Sequence, residues 1–358
     1  MLKEFTVENF KGFEKLTLED LGHINIFVGK NNTGKTSLLE AVGYSDLVEE
    51  SNYVFFQRLL SLLSGMPVGL NKAILPDVFL NTVYANSSDK KTAFQFNIKK
   101  QEKLNVIELE LSYQVLFQEI TAEIKILKRN QRKELHPYRV EPSFKISTAP
   151  NLNHHFEFNL AHFPLIIFSH HISHREFVYQ QYSEIIKDSN KTIKNKIKEL
   201  LKKIEPRLED LQLVMNGGIV CDIEGLEKSL PLDNMGDGFI KLFAFACLLH
   251  QKSSLVLVDE PENGLHYSAQ KQFWEMLSDA CLNNGKQSFI ATHSYELLES
   301  LNKLLLADPN LTKPEDEGGK GLKVRVYRLK RSDTGEVKVS KIKEDTLARF
   351  LARKEEIR

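Results

Sequence analysis

The sequence predicts an α/β fold in which buried parallel strands end at an anion-binding loop. Three observations predict it. Gly29-Lys30-Asn31-Asn32-Thr33-Gly34-Lys35-Thr36 fits the spacing GxxxxGK[ST] at every fixed position. Leu255-Val256-Leu257-Val258-Asp259-Glu260 is an apolar run ending in two acids. Phe289-Ile290-Ala291-Thr292-His293-Ser294 is another, ending in a histidine. Short apolar runs bounded by turn residues fit strands buried on both faces.

The elements follow in order. Glu4–Asn9 and Leu16–Leu18 read as β, and Ile24–Val28 as a short apolar strand. Ser37–Val42 reads as a helix with Leu38, Leu39 and Val42 on one face. Residues 45–90 are mixed, with an apolar helix-like stretch at Val54–Leu63. Ala93–Ile98, Val106–Val115 and Ile120–Leu127 are β runs. Their connections are too short for crossover helices, so they predict antiparallel hairpins. Arg129–Asn153 is polar with three prolines and reads as a loop, and Leu165–Phe168 as a strand. Residues 176–213 carry helical spacing, with Ile193, Ile197, Leu200, Leu201 and Ile204 on one stripe and Pro206 as its breaker. Ile219–Ile223 is a strand, Gly238–His250 an apolar helix, Leu255–Val258 a strand, and Ser268–Leu282 a helix. Ser288–Ala291 is a strand and Tyr295–Leu306 a helix. A hairpin, Lys323–Leu329 with Glu336–Ile342, precedes a helix from Glu344.

Composition narrows the class. The chain has 358 residues, 42% hydrophobic and 27% charged, enough for a sizeable core. Lys plus Arg and Asp plus Glu are both 48, so net charge is zero. That excludes a strongly basic nucleic-acid coat and a polyacidic tail, though not a local basic patch. Cys221, Cys247 and Cys281 are far apart with no CxxC, which argues against a disulfide framework or zinc knuckle and for a reducing cytoplasm. The charged N-terminus has no signal-peptide core. No uncharged apolar run approaches the ~18 residues of a membrane span.

The loop's chemistry is phosphate binding. Glycines let it curl so that backbone N–H groups face inward, and a helix N-terminus adds positive potential. Gly29, Asn31, Asn32, Thr33, Gly34, Lys35, Thr36 and Ser37 are the candidate ATP-binding residues. Lys35 would reach the β- and γ-phosphates, and the Thr36 hydroxyl would serve Mg²⁺. Asp259 would hold Mg²⁺ through water, and Glu260 would be the general base toward the attacking water. Parallel neighbours would bring His293 beside Glu260, where it could contact the γ-phosphate or that water.

These parts, in this order, resemble the ABC-type ATPases, specifically their RecF/SMC/OLD-like branch. Phe5-Thr6-Val7-Glu8-Asn9-Phe10-Lys11-Gly12-Phe13 resembles that branch's first strand running into NF+GF. Asp259-Glu260-Pro261-Glu262-Asn263-Gly264-Leu265-His266 resembles its Walker B and D-loop, and Ala291-Thr292-His293-Ser294 its switch-histidine strand. The resemblance covers about residues 1–45 and 205–305. It implies an ABC-type phosphate-loop ATPase head with an N-terminal antiparallel β lobe and a helical insertion. The implied division is a discontinuous core of 1–45 and 205–343, a β-rich and helical segment 46–128, a loop and helical insertion 129–204, and a C-terminal helix 344–358.

The resemblance further implies a homodimer with ATP sandwiched between subunits, open to higher assembly. Gly236, Asp237 and Gly238, in Asn234–Lys241, then stand where the family's signature faces the partner's nucleotide. The segment departs from LSGGQ: Gly236 replaces a serine and Asp237 adds a negative charge. His266 stands where transporters have Asp. Short chains of this kind resemble ATPase subunits of anti-phage defence systems, which implies a separate effector, a nuclease or toxin. The alternative is a RecF-like clamp with DNA as partner. A transporter subunit fits less well, because LSGGQ is absent.

His170, His171 and His174, with His154, His155 and His162, lack the usual zinc partners and read as a surface or packing segment. Arg175 beside them could contact phosphate. Lys187, Lys191, Lys194, Lys196, Lys198, Lys202 and Lys203 could contact a phosphate backbone. Interleaved acids favour the solvated face of an amphipathic helix.

Overall fold

A computed structural model describes residues 1–47, 91–100, 103–116, 119–129, 143–146, 174–187, 191–214, 218–250, 254–332 and 335–342. The expected helices at Val54–Leu63 and from Glu344, the strand at Leu165–Phe168, and His154, His155, His162, His170 and His171 lie outside these residues. The chain divides into two compact units. Unit one is Met1–Gly22, Gly29–Phe158 and Tyr327–Lys341; unit two is His23–Val28, Asn159–Val326 and Ile342–Arg358.

Unit one is built on antiparallel strands. β1 (Leu2–Phe10) and β2 (Phe13–Leu18) form a hairpin whose turn holds Lys11 at φ 47°. β4 (Lys91–Lys100), β5 (Lys103–Leu116), β6 (Glu119–Arg129) and β7 (Ser143–Ile146) extend it in the order β2-β1-β4-β5-β6-β7. Every pairing is antiparallel, as the short connections between β4, β5 and β6 led one to expect for those three. β7 corrects the loop expected over Arg129–Asn153. Phe5, Val7, Phe10, Phe13, Leu16 and Leu18 are buried. Helix α1 (Lys35–Leu47) buries Leu38, Leu39, Ala41 and Val42.

Unit two carries the parallel strands. β3 (Ile24–Val28), β11 (Leu255–Asp259) and β12 (Gln287–Thr292) are buried at every position and lie in the order β11-β12-β3. Both pairs are parallel. Two-sided burial explains why these strands read as apolar runs rather than alternations. Beyond β3, β13 (Val324–Arg331) begins in unit two and runs on into unit one, where β14 (Val337–Ile342) follows it.

Helices cover these strands. α2 (His174–Lys187) and α3 (Lys191–Lys202) precede a small antiparallel sheet of β8 (Leu208–Leu213), β9 (Ile219–Ile223) and β10 (Leu230–Pro231). β8 corrects the helical spacing expected through residue 213. α3 ends before Pro206, with Ile197 and Leu201 buried and Ile193, Leu200 and Ile204 packed partly buried on the core. α4 (Asp237–Leu249) buries every residue from Phe239 to Leu249 except Lys241, so it is the central helix of this core. α5 (Tyr267–Asn283) places Phe273 4.5 Å from Phe245 and the fully buried Trp274 5.1 Å from Phe273, centroid to centroid. Burying each such ring contributes roughly 2–3 kcal/mol. The Trp274 indole N–H donates to Leu297 O at 3.0 Å in α6 (Tyr295–Ala307). Ser294 caps α6, accepting from Leu297 N at 3.1 Å, which contributes about 1 kcal/mol.

Candidate active site

In unit one the phosphate loop begins where β3 ends and stops where α1 starts. A Cβ at Gly29 would lie 2.6 Å from Leu329 O and 2.8 Å from Thr33 Oγ1, so only glycine fits. Asn32 and Gly34 take left-handed backbone, φ 63° and 89°. Thr33 Oγ1 donates to Lys30 O at 2.8 Å. The buried Lys35 ammonium donates to Gly29 O at 2.9 Å and Lys30 O at 3.0 Å, folded over the loop. Thr36 and Ser37 sit in the first turn of α1, which carries no acidic residue. The helix end therefore keeps its positive potential.

The NFKGF hairpin supports that loop from below. A Cβ at Gly34 would meet the Phe13 ring at 3.0 Å. Lys11 pairs with Glu40 of α1. Burial raises the Glu40 pKa, against the opposing charge of Lys11. Arg331 Nη1 lies 3.5 Å from Asn32 O, placing a cation beside the loop that no sequence signal singled out.

In unit two the acids and the histidine meet. Asp259 is the last residue of β11 and is buried. Glu260 follows with φ 49°, a strained conformation for a non-glycine residue, while its N–H continues the ladder to Ala291 O at 2.8 Å. That turn aims its carboxylate at His293, and Glu260 Oε1 lies 3.0 Å from His293 Nδ1. Asn263 Nδ2 donates to Glu260 Oε2 at 2.7 Å. Glu262 Oε1 accepts from Thr292 Oγ1 at 2.7 Å and His293 N at 3.2 Å. Neither Asn263 nor Glu262 was assigned a role from sequence; their position inside the acidic turn was the only signal.

The expected signature segment also lies in unit two. Gly236 is the N-cap of α4 with extended backbone, and Phe239 N and Ile240 N donate to its carbonyl. Asp237 opens the helix with its carboxylate exposed, and Arg175 Nη2 of α2 lies 3.5 Å from it. A Cβ at Gly238 would lie 3.9 Å from Gly264 O, so this helix start abuts the turn that follows Glu260. Lys241 lies across Gly264, and burial lowers its pKa. His174 opens α2; among the described residues no cluster of His, Cys, Asp and Glu forms a metal site.

Residues 24–299 match the family described as "AAA domain, putative AbiEii toxin, Type IV TA system". The chain belongs to this family. It is 24% identical over 337 residues to an "ATP/GTP phosphatase" of Helicobacter pylori, covering 85% of this chain and 88% of that one. A shorter stretch of 41 residues is 49% identical to the DNA replication and repair protein RecF of Lactobacillus acidophilus, 12% of this chain and 11% of that protein. The fold resembles an SMC head solved bound to the C-winged helix domain of ScpA, with TM-score 0.52 and 12% identity over 97% of this chain and 99% of that one. The chain is an ABC-type ATPase of the RecF/SMC branch. No described helix is long and apolar enough to cross a membrane.

Proposed function

We propose that this ATPase binds ATP with Gly29, Asn31, Asn32, Thr33, Gly34, Lys35, Thr36 and Ser37, and hydrolyses it with Glu260 as general base. The 3.0 Å approach of His293 Nδ1 to Glu260 Oε1 carries the reading. A ring nitrogen this close to a carboxylate carries the proton, which fixes the tautomer and orientation of the imidazole beside Glu260. Glu260 takes a proton from water as the water oxygen bonds to the γ-phosphorus and the bond to the bridging oxygen breaks, releasing ADP and phosphate. Thr36 and Asp259 are the oxygen donors we assign to Mg²⁺, a hard cation that such donors suit. When bound, Mg²⁺ would neutralise charge on the phosphate oxygens.

In this reading two copies close around ATP, with Gly236, Asp237 and Gly238 of each at the other's nucleotide, and ATP's tighter binding to the closed state drives closure. Backbone N–H groups at the start of α4 suit an anion. The dimer acts as sensor or motor for a separate effector, a nuclease or toxin, in anti-phage defence. The family description, which names a putative toxin of a type IV toxin–antitoxin system, supports an effector-linked role. The discontinuous core of 1–45 and 205–343 belongs to the same proposal.

The test is Glu260→Gln, measured for ATP binding and phosphate release. It should keep nucleotide affinity and slow turnover by roughly 10²–10⁴-fold. Turnover at the wild-type rate would refute the base assignment. A DNA clamp is the second reading, favoured by the short RecF likeness. Against it, Lys194 and Lys198 both pair with Asp210, Lys202 with Glu199 and Lys203 with Glu275. Pull-down of the tagged chain with and without ATP separates the two, by recovering an effector protein or nucleic acid.

A further inference from the structure

We infer that Glu262 is a positioning residue for hydrolysis, holding His293 at the distance from which it serves Glu260. The inference rests on the proposed roles of Glu260 and His293. Glu262 lies two residues past the base, in the turn closed by Asn263 N donating to Glu260 O at 3.0 Å and Leu265 N donating to Glu262 O at 3.1 Å. The turn directs its carboxylate back under the end of β12, where its side chain is 10% exposed.

One oxygen of that carboxylate organises the whole histidine segment. Glu262 Oε1 accepts from the Thr292 hydroxyl at 2.7 Å and from the His293 backbone N–H at 3.2 Å. It also lies 3.4 Å from His293 Nδ1, against 3.0 Å for Glu260 Oε1. The same hydroxyl accepts from Ser294 N at 2.9 Å, so the carboxylate is tied to the cap of α6 as well. Backbone, ring and following helix are therefore all referred to one carboxylate.

The second oxygen, Oε2, is buried with no hydrogen-bond partner among the described residues. A buried carboxylate left half satisfied costs stability, and an apolar side chain would avoid that cost. What this carboxylate adds is a second acceptor for His293 Nδ1. Glu260 has both oxygens engaged, by His293 and by Asn263. Each oxygen keeps a second lone pair for water, but the proton taken there weakens Glu260 as an acceptor from His293. A second acceptor 0.4 Å further from the same nitrogen lets the ring keep its proton and orientation while Glu260 turns to water.

The test is steady-state ATP hydrolysis by the full chain, with thermal unfolding recorded for each variant. Glu262→Ala should lower kcat by about tenfold or more with KM within about twofold, because the loss falls on the chemical step. Glu262→Gln keeps a carbonyl that accepts from Thr292 and His293, and should recover most of kcat. If Glu262→Ala does not fold, Thr292→Val carries the test: it removes the hydroxyl that docks on Glu262, and kcat should fall at least about threefold with KM unchanged. A wild-type kcat in Glu262→Ala, or in Thr292→Val where that variant carries the test, overturns the inference, as does a raised KM at unchanged kcat or a Gln variant as impaired as Ala. Glu260→Gln is run beside them. If it hydrolyses ATP at the wild-type rate, the base assignment and this inference fall together. If it is inactive while Glu262→Ala is unimpaired, this inference alone falls.

Discussion

Val28 lies opposite Thr292 in the parallel pair of β3 and β12. The residue before the phosphate loop and the residue before the histidine thus end neighbouring strands at one level. Asp259 pairs with Ala291 on the other side of β12. Ligand-binding residues of open parallel sheets sit past the carboxyl ends of their strands. Within unit two that end of the sheet carries Asp259 and leads into Glu260 and His293.

Lys35→Met should abolish most nucleotide binding. The ammonium is held over the loop by Gly29 O and Lys30 O, and it is the group assigned to the β- and γ-phosphates. A fluorescent ATP analogue should bind at least about a hundredfold more weakly, with an unchanged circular dichroism spectrum. Wild-type affinity would count against this placement of the phosphates.

Lys11→Met should destabilise unit one by about 3 kcal/mol near neutral pH, since it strands the Glu40 carboxylate. The sign with pH follows from the raised folded pKa. A raised acid contributes stability below its unfolded pKa and loses it as pH rises through the folded value. The variant's deficit should therefore shrink between about pH 7 and about pH 5, and denaturant melts at the two pH values read it.

Gly264→Ala and Gly236→Ala should differ. Gly264 has φ 77°, and a Cβ there would lie 2.4 Å from Lys241 Nζ. Gly236 has φ −61° and open space around it. The first should cost about 1–2 kcal/mol, the second under about 0.5, by chemical denaturation.

The three thiols should be silent toward an aromatic disulfide reagent at about pH 8 until the chain unfolds. Burial pushes Cys221 and Cys281 up to about 12, and Cys247 higher still. Unfolded thiols ionise near ~8.5, so the stability tied to these protonated thiols declines as pH rises beyond that value. Reaction of any thiol in the native protein would contradict their burial.

What was legible from sequence was local. The phosphate loop, the strand ending in Asp259 and the strand leading into His293 each carry their chemistry within about eight residues, and each folds as its own backbone pattern dictates. β8 was not legible. Its buried residues, Leu208 and Leu211, are three apart because the register shifts between Leu208 and Asp210, and that spacing mimics a helix face. β7 is four residues inside a polar, proline-bearing stretch, too short to show a period. In the site, Phe13 under Gly34 and Glu262 under Thr292 join residues far apart in sequence. Spacing alone does not encode such pairs.

β3 also sets an order of events for folding. The partner of residues 24–28 on one side is residues 288–292, a separation of 264 positions (288 minus 24). On the other side stands β13, which starts at Val324. During synthesis this apolar strand must wait for residues 288–292 before either edge is paired. Such long-range closure slows folding and leaves a sticky edge exposed meanwhile. Refolding of the intact chain should therefore be slow and concentration-sensitive, and a fragment ending before residue 288 should aggregate rather than form unit two.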